Sequence, residues 1–435
     1  MKQILSKVRV LALATVAFIA AVYPMATVAA VAARLYQLIE DSVLRPVQRG
    51  MVAGANTLTS LVPDLYEALD VVSREMVGFI PSVTLDPSAE RAALNQSIRI
   101  PITPAAAASN VTPGQLPPDD GDQNIGNTPF VISKSRTVPF RWTGEEQKGV
   151  NSGPGYNTIR RDQIAQAYRT LVNEVEVDLG NLFALSSRAT GTAGTTPFAT
   201  NLSDTAQLRK ILSDNGAPLS DLQCVIDTTA GANIRTLAQL TKANEAGTKE
   251  LREQGILLDL HGFKMRESAG VASPTAGTVT GAVTASGAKG ATAVTVTTPA
   301  GGATAIVAGD VITFAGDSNK YVAAAALTLG ASASGTLTLA DPGLRTTLSS
   351  AAVTMVASGP RNMGFSRSAI VLATRAPALP EEGDMADDRM MITDPRSGIA
   401  FEVAMYKQYR RVRYEVSLAW GQQNIKPRHT ALLLG

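Results

Sequence analysis

One cysteine and two histidines occur in 435 residues, and aromatic side chains make up only 5%. The lone thiol, Cys224, excludes an intrachain disulfide and any cluster of thiolate metal ligands. His261 and His429 are far apart in sequence, and an isolated histidine is more often structural than catalytic. Charged residues are also few, at 17%, and the formal charge is +2. Residues 1–50 carry six basic and two acidic side chains, leaving 33 basic and 35 acidic beyond them. A near-neutral body lacks the footprint of a dedicated nucleic-acid reader, although a protein that merely surrounds nucleic acid stays compatible. The chain has no Walker-type loop, no G-x-S-x-G elbow and no H-E-x-x-H helix. No constellation for chemistry is found, and neither a catalytic residue nor a cofactor or metal site is expected.

What is present is apolar surface, 45% of residues, in a chain long enough for two or three domains at roughly 100–200 residues each. Met1–Arg9 is short and basic, and residues 10–33 carry no charge, enough to span a bilayer at about 20 residues. The run is rich in Ala, is interrupted by Pro24, and is followed by a second start at Met51. Three readings compete: a start codon misassigned upstream of Met51, a membrane-seeking helix, and a secretion signal ending near Ala30.

In the body, Pro63 suits a first helical position, and Leu65, Leu69, Val72 and Met76 recur on one face up to Gly78. Residues 97–104 alternate like a strand with edge prolines, and 105–127 read as a long exposed tip. Val131–Trp142 returns as a second extended run, giving a protruding two-stranded loop. Such an arm is marginal alone and should lie on a neighbour. Ile164, Tyr168, Leu171, Val175, Leu179 and Leu182 predict a long helix within 157–188, about 40–45 Å at 1.5 Å per residue. Arg160, Arg161, Arg169, Glu174, Glu176 and Asp178 supply charge between them. Shorter helices are predicted over 204–216 and 231–255 around a buried strand, Leu222–Asp227.

Between Thr275 and Gly343 the only charges are Lys289, Asp310, Asp317, Lys320 and Asp341. Period-two stretches of Ala, Thr and Val predict a small all-β barrel or sandwich inserted into a mixed α/β lobe. Strands are also predicted at 368–374, 400–408 and 411–420, followed by an apolar tail that should be tucked in.

The acidic tip at Asp119, Asp120 and Asp122 lacks the downstream Glu of a calcium loop and reads as a solvated turn. Glu381, Glu382 and Asp384, with Asp387 and Asp388, read the same way. Lys407, Arg410, Arg411 and Arg413 form the strongest basic run. On a strand, Arg411 and Arg413 share one face, with Val412 and Tyr414 on the other.

Leu61–Glu75, Leu251–Lys264, Arg375–Pro380 and Tyr406–Gly421 resemble segments of one family of coat proteins. The order of elements resembles the Hong Kong 97-type phage capsid fold, in the version with an inserted β-barrel found in Salmonella-type short-tailed phages. The resemblance covers residues 56–435 and implies an α+β fold with an N-arm, extended loop, long spine helix, mixed lobe and inserted all-β domain. It divides the chain into an apolar extension (1–50), an arm (51–96), an extended β loop (97–150) and a first lobe segment with the spine helix (151–272). The inserted barrel (273–358) and the remainder of the lobe (359–435) follow.

The implied function is a non-enzymatic capsid subunit forming hexamers and pentamers around double-stranded DNA, with a scaffolding protein and a portal as partners. Assembly would take place in the host cytoplasm. Trp142, Arg411 and Arg413 are then candidate inter-subunit contacts, with Asp384, Asp387 and Asp388 as acidic partners. Lys134 and Lys148 flank the loop without a pattern that identifies a cross-link acceptor. The alternative is a secreted or membrane-anchored bacterial surface protein using residues 1–33 as signal or anchor.

Overall fold

Neither proline nor internal glycine interrupts Tyr156–Gly180, which forms one α-helix as its apolar periodicity predicts. The computed structural model describes residues 77–102, 126–150, 155–237, 259–393 and 398–435, together with 108, 110, 111, 113, 240 and 257. The extension 1–50, the helix expected over 63–76 and the acidic turn at 119–122 lie outside the described residues. The chain divides into two units, residues 1–69 with 145–154, and residues 70–144 with 155–435. Of the first, residues 145–150 are described, in helix α1 (Gly144–Val150).

The second unit is α+β, with few helices and many strands. It runs β1 (Thr84–Ala92), β2 (Ser97–Ile102), β3 (Gly126–Val131), β4 (Lys134–Thr143), α2 (Tyr156–Gly180), β5 (Arg188–Gly191) and α3 (Ser203–Asp214). Then come β6 (Leu222–Ile226), α4 (Thr228–Thr236) and β7 (Phe263–Glu267). The Ala- and Thr-rich zone supplies β8 (Thr278–Thr280), β9 (Thr284–Gly287), β10 (Ala293–Thr297), β11 (Ala303–Ile306) and β12 (Val311–Phe314). It continues with β13 (Lys320–Val322), β14 (Leu327–Leu329), β15 (Ser334–Thr338) and β16 (Leu348–Met355). The chain closes with β17 (Arg361–Ser366), β18 (Ile370–Pro377), β19 (Asp388–Thr393), β20 (Ala400–Gln408), β21 (Arg411–Asn424) and β22 (Thr430–Leu434).

A six-stranded sheet has the order β1-β18-β21-β20-β19, with β4 also paired to β21. An eleven-stranded sheet runs β15-β10-β9-β16-β12-β13-β5-β22-β17-β6-β7. The apolar tail is tucked in as expected: β22 lies between β5 and β17 with every residue buried. The first core joins α2 to Phe365, Phe401, Val416, Leu418 and Trp420; a second lies around α3, α4 and β6.

Three expectations need correction. The run Val131–Trp142 is not one strand. β3 pairs with β2 from Ser97↔Val131 to Ile102↔Gly126, whereas β4 pairs with Arg411–Trp420 of β21. The break falls at Ile132, which is fully buried, and Ser133 turns its N–H to the Trp420 carbonyl. The long helix does not continue to 188; it tightens into a 3-10 turn over Asn181–Leu185. A Cβ on Gly180 would stand 2.6 Å from the Gly270 carbonyl oxygen, so this close crossing of backbones requires glycine. The helix expected over 231–255 starts earlier, at Thr228, because Asp227 caps it by accepting the Thr229 and Ala230 N–H groups.

Six strands of the eleven-stranded sheet come from the inserted zone, and they continue into the lobe through Lys320↔Ala189 and Tyr321↔Arg188. A three-stranded sheet, β14-β11-β8, packs on the same core, which is largely Val, Leu and Ala. Buried Arg188 reinforces the joint by reaching Asn319 Oδ1 on one side and Asn215 Oδ1 at the end of α3 on the other. Asp317 is the polar hub of the zone. It accepts from the Tyr321 hydroxyl at 2.6 Å, the Thr346 hydroxyl at 2.7 Å, and the Asn319 N–H and amide at 2.9 and 2.6 Å. Burial alone would push its carboxyl up, but these donors outweigh it and hold the group below the usual carboxylate range.

A carboxyl that titrates lower in the folded than in the unfolded chain stabilises fully above the unfolded value, and that stabilisation is lost as pH falls through the folded one. Asp317→Asn is therefore expected to flatten the acid limb of a melting-temperature profile of the unassembled chain, roughly between pH 5 and pH 2. An acid limb unchanged from that of the unaltered chain contradicts this.

Candidate assembly surface

With about 100° between successive residues, positions three and four apart on α2 share a face and positions two apart lie nearly opposite. Arg160, Gln163, Tyr168, Glu174 and Asp178 form such a stripe, and it faces the six-stranded sheet. Arg160 donates to the Tyr414 hydroxyl at 3.2 Å, and Tyr168 packs on Phe401 with ring centroids 4.9 Å apart. Lys134 at the start of β4 reaches Asp178 at 2.8 Å and Glu174 at 3.1 Å, and Arg136 meets Glu174 at 3.3 Å. The buried Trp420 indole N–H donates to the other Asp178 oxygen at 3.0 Å. Lys134, weighed in the sequence as a loop-flanking lysine, is thus engaged within the chain.

Glu176 lies on the opposite face and is fully buried. Its carboxylate accepts the N–H groups of Gly78, Phe79 and Ile80 at 2.5–3.0 Å and the Ser268 hydroxyl at 2.8 Å. A Cβ on Gly78 would stand 2.7 Å from Ser268 Cβ, so the chain enters this nest only as glycine. Burial holds the Glu176 carboxyl above the usual range against the pull of the four donors. The sequence shows Glu176 and Asp178 only as charges between the apolar positions of the helix; in the structure 0% and 8% of their surface is exposed. A signal existed, because Glu176 falls at i+4 from Val172 and i−3 from Leu179, both fully buried, at the edge of the apolar stripe.

The register of β21 places its side chains as its alternation predicts. Val412, Tyr414, Val416, Leu418 and Trp420 share the face toward α2, and Arg411, Arg413, Glu415 and Ser417 share the other. Trp142 lies across from Val412, is 5% exposed, and donates its indole N–H to Gln163 at 2.8 Å. It therefore anchors β4 to α2 within the chain. On the outer face Arg413 stands opposite Arg141 of β4 on one side and Tyr406 of β20 on the other. Arg413 pairs with Glu415 at 2.8 Å, but its Nε is buried without a hydrogen-bond partner. Arg411 is exposed at the strand end.

The three carboxylates expected to meet these arginines all have contacts of their own. Asp384 accepts the Tyr406 hydroxyl at 2.7 Å and pairs with Arg389 at 2.6 Å, and both hold its carboxyl below the usual range. Asp387 pairs with Lys407 at 2.5 Å, and Asp388 accepts the Arg389 N–H at 2.8 Å. Sequence reasoning missed the buried Glu402, which Arg91 grips with two bonds at 2.6 and 2.9 Å while Arg389 approaches at 2.8 Å. A cleft of about 300 Å³ opens beside it, lined among others by Thr137, Pro380, Tyr406 and Ser417.

No family model matches the sequence, and no curated protein matches it. Solved phage capsids are similar in fold. One is the capsid of cyanophage P-SCSP1u, at 10% identity and a TM-score of 0.46, covering 88% of this chain and 95% of that one. Another is the mature capsid of bacteriophage PhiM1, at 11% identity and a TM-score of 0.42, covering 84% and 89%. The capsid of a native GTA particle matches at 10% identity and a TM-score of 0.42, covering 87% and 99%.

Among the described residues no group of His, Cys, Asp and Glu could hold a metal ion, and no helix is long and apolar enough to cross a membrane. Cys224 is fully buried, and burial pushes its thiol up to about 12. His261 bonds the Thr205 hydroxyl through Nδ1 at 2.7 Å, and burial lowers the pKa of His429.

Removing the Glu176 carboxylate leaves four donors without their acceptor, each a buried group costing about 1–3 kcal/mol when orphaned. Glu176→Ala is expected to lower the unfolding free energy of the unassembled chain by about 4 kcal/mol or more. Glu176→Gln, which keeps one acceptor oxygen, should lose less. Denaturant midpoints indistinguishable from those of the unaltered chain contradict the assignment.

Proposed function

We propose that this chain is the coat subunit of an icosahedral phage shell, with the Hong Kong 97-type fold and the inserted β domain of the Salmonella-type short-tailed phages. The observation that carries the reading is the β2–β3 hairpin. Its two strands pair only with each other among the described residues, and both outer edges are unpaired. Two-stranded ribbons are marginal in water; the base of this one packs through Phe130, Ile98 and Ile100 against Ala92, Ala373 and Ala419 of its own chain, while its open edges invite pairing with another copy. The order of elements behind it supports the same reading: hairpin, long helix, α/β lobe, inserted β strands, and a long sheet on the helix. So do the sequence segments that resemble coat proteins at both ends of the body.

In this reading hexamers and pentamers enclose double-stranded DNA, a scaffolding protein guides closure in the host cytoplasm, and a portal occupies one vertex. The role is structural rather than catalytic. Trp142 acts in assembly through the β4–α2 anchor, while Arg411 and Arg413 face the neighbour directly. Many modest contacts suit a closed shell, because closure multiplies weak interfaces and lets errors dissociate.

The test is electron microscopy of the full chain co-expressed with its neighbouring genes. Closed shells of uniform diameter are expected. Monomers in the presence of a scaffold overturn the reading, and an N-terminus processed near Ala30 would favour the surface-protein alternative.

A further inference from the structure

Between β21 and β22 the chain makes a short 3-10 turn, Pro427–His429, on which four separate parts of the molecule meet. Asn215, just past the end of α3, donates its side-chain amide to the Arg428 carbonyl at 3.0 Å. Asn424, at the end of β21, donates to the Thr430 hydroxyl at 3.0 Å. The Ser187 N–H and hydroxyl, ahead of β5, both reach the Thr430 carbonyl, at 3.0 and 2.6 Å. From the inserted zone, Asp341 accepts two bonds from the Arg428 guanidinium, at 2.7 and 3.2 Å. The turn therefore ties the inserted strands, α3 and the start of β5 to the C-terminal strand.

His429 ends this turn and is 8% exposed. Its Nδ1 is buried with no hydrogen-bond partner among the described residues. Lys426 and Arg428 flank it on its own segment, and Asp341 is the acid that faces it from the inserted zone. α3 and β21 meet the turn with the neutral side chains of Asn215 and Asn424, while Arg188 and Asp214 face each other at 3.6 Å.

A neutral imidazole fits this setting, because only one of its nitrogens carries a proton. An imidazolium does not, because both nitrogens then donate and a buried unpaired charge is costly. Lys426 and Arg428 add two like charges, and Asp341 is already held by Arg428 in a forked pair. Protonation leaves two routes: the ring turns out to water, or Asp341 leaves Arg428 for the ring. Either route breaks the tie between the turn and the inserted zone. Burial first, then Lys426 and Arg428, keep the ring's pKa below the ordinary value of about 6.5. The stabilisation that the neutral ring gives is complete above that value and is lost as pH falls through the lower one of the folded chain.

We infer that the Pro427–His429 turn is an acid-released latch: with His429 neutral it holds the inserted strands to the C-terminal strand, and with His429 protonated it lets go. The latch lies within one copy and is tested apart from the coat reading.

The experiment is amide exchange by mass spectrometry on the full, unassembled chain at about pH 7 and about pH 5, corrected for the intrinsic effect of pH on exchange. Residues 424–434 and 341–347 are expected to exchange about tenfold faster or more at the lower pH, with Leu222–Ile226 protected at both. His429→Gln, which takes up no proton, should abolish the difference, and His261→Gln should keep it. Asp341→Asn, which breaks the forked pair, should speed exchange of 341–347 already at the higher pH.

Equal exchange at the two pH values in the unaltered chain overturns the inference. So does a difference that survives His429→Gln, or an opening that extends to Leu222–Ile226 and is therefore global. Should His429→Gln not fold, the two-histidine composition supplies a second reading. His261→Gln leaves one imidazole signal in the magnetic resonance spectrum, and a titration midpoint at or above about 6.5 overturns the latch.

Discussion

A carboxylate buried away from water survives only where hydrogen bonds replace its hydration, and Glu176 is such a group. Its side chain draws three consecutive backbone N–H groups, at Gly78, Phe79 and Ile80, onto the long helix and ties the Ser268 hydroxyl to the same point. That fixes where the chain enters the body, which face of α2 turns from the long sheet, and how closely Gly180 and Gly270 pass. On the other side Asp178 and Glu174 hold Lys134, so β4 is fastened to the same helix by ion pairs at partly buried positions. The helix is clamped from both sides by acids that ordinary surface counting would leave in water.

That clamp gives the six-stranded sheet one committed face. Val416, Leu418 and Trp420 are fully buried toward α2, and Trp142 is spent on the Gln163 contact. What remains open is the outer face and the ends: the hairpin with its open edges, the cationic turn, and the edge strand β19 with Met390 and Met391 half exposed.

Much of this was legible in the residues. The alternation of Arg411–Trp420 placed the arginines and the aromatics on opposite faces, because a strand has period two and the face toward α2 is buried. The stripe from Ile164 to Leu182 marked the long helix for the same kind of reason. The low charge of 275–343 marked the inserted strands. What was not legible depends on contacts between distant segments. Nothing near Lys320 announces that Arg188 and Ala189 lie beside it, so the joining of the inserted strands to the lobe sheet was hidden. Arg91 and Glu402 are 311 residues apart and meet only because β1 is laid on β18. Residue type gave no sign that Glu176 and Asp178 are buried, because the groups that satisfy them come from distant segments.

Amide exchange at Gly78, Phe79 and Ile80 in the unassembled full-length chain tests the clamp most directly. Three N–H groups bonded to one buried carboxylate should exchange as slowly as those of the buried strand Leu222–Ile226. Exchange at the rate of an exposed loop would show that Glu176 does not hold the chain there, and the account of the helix as a two-sided clamp would fail.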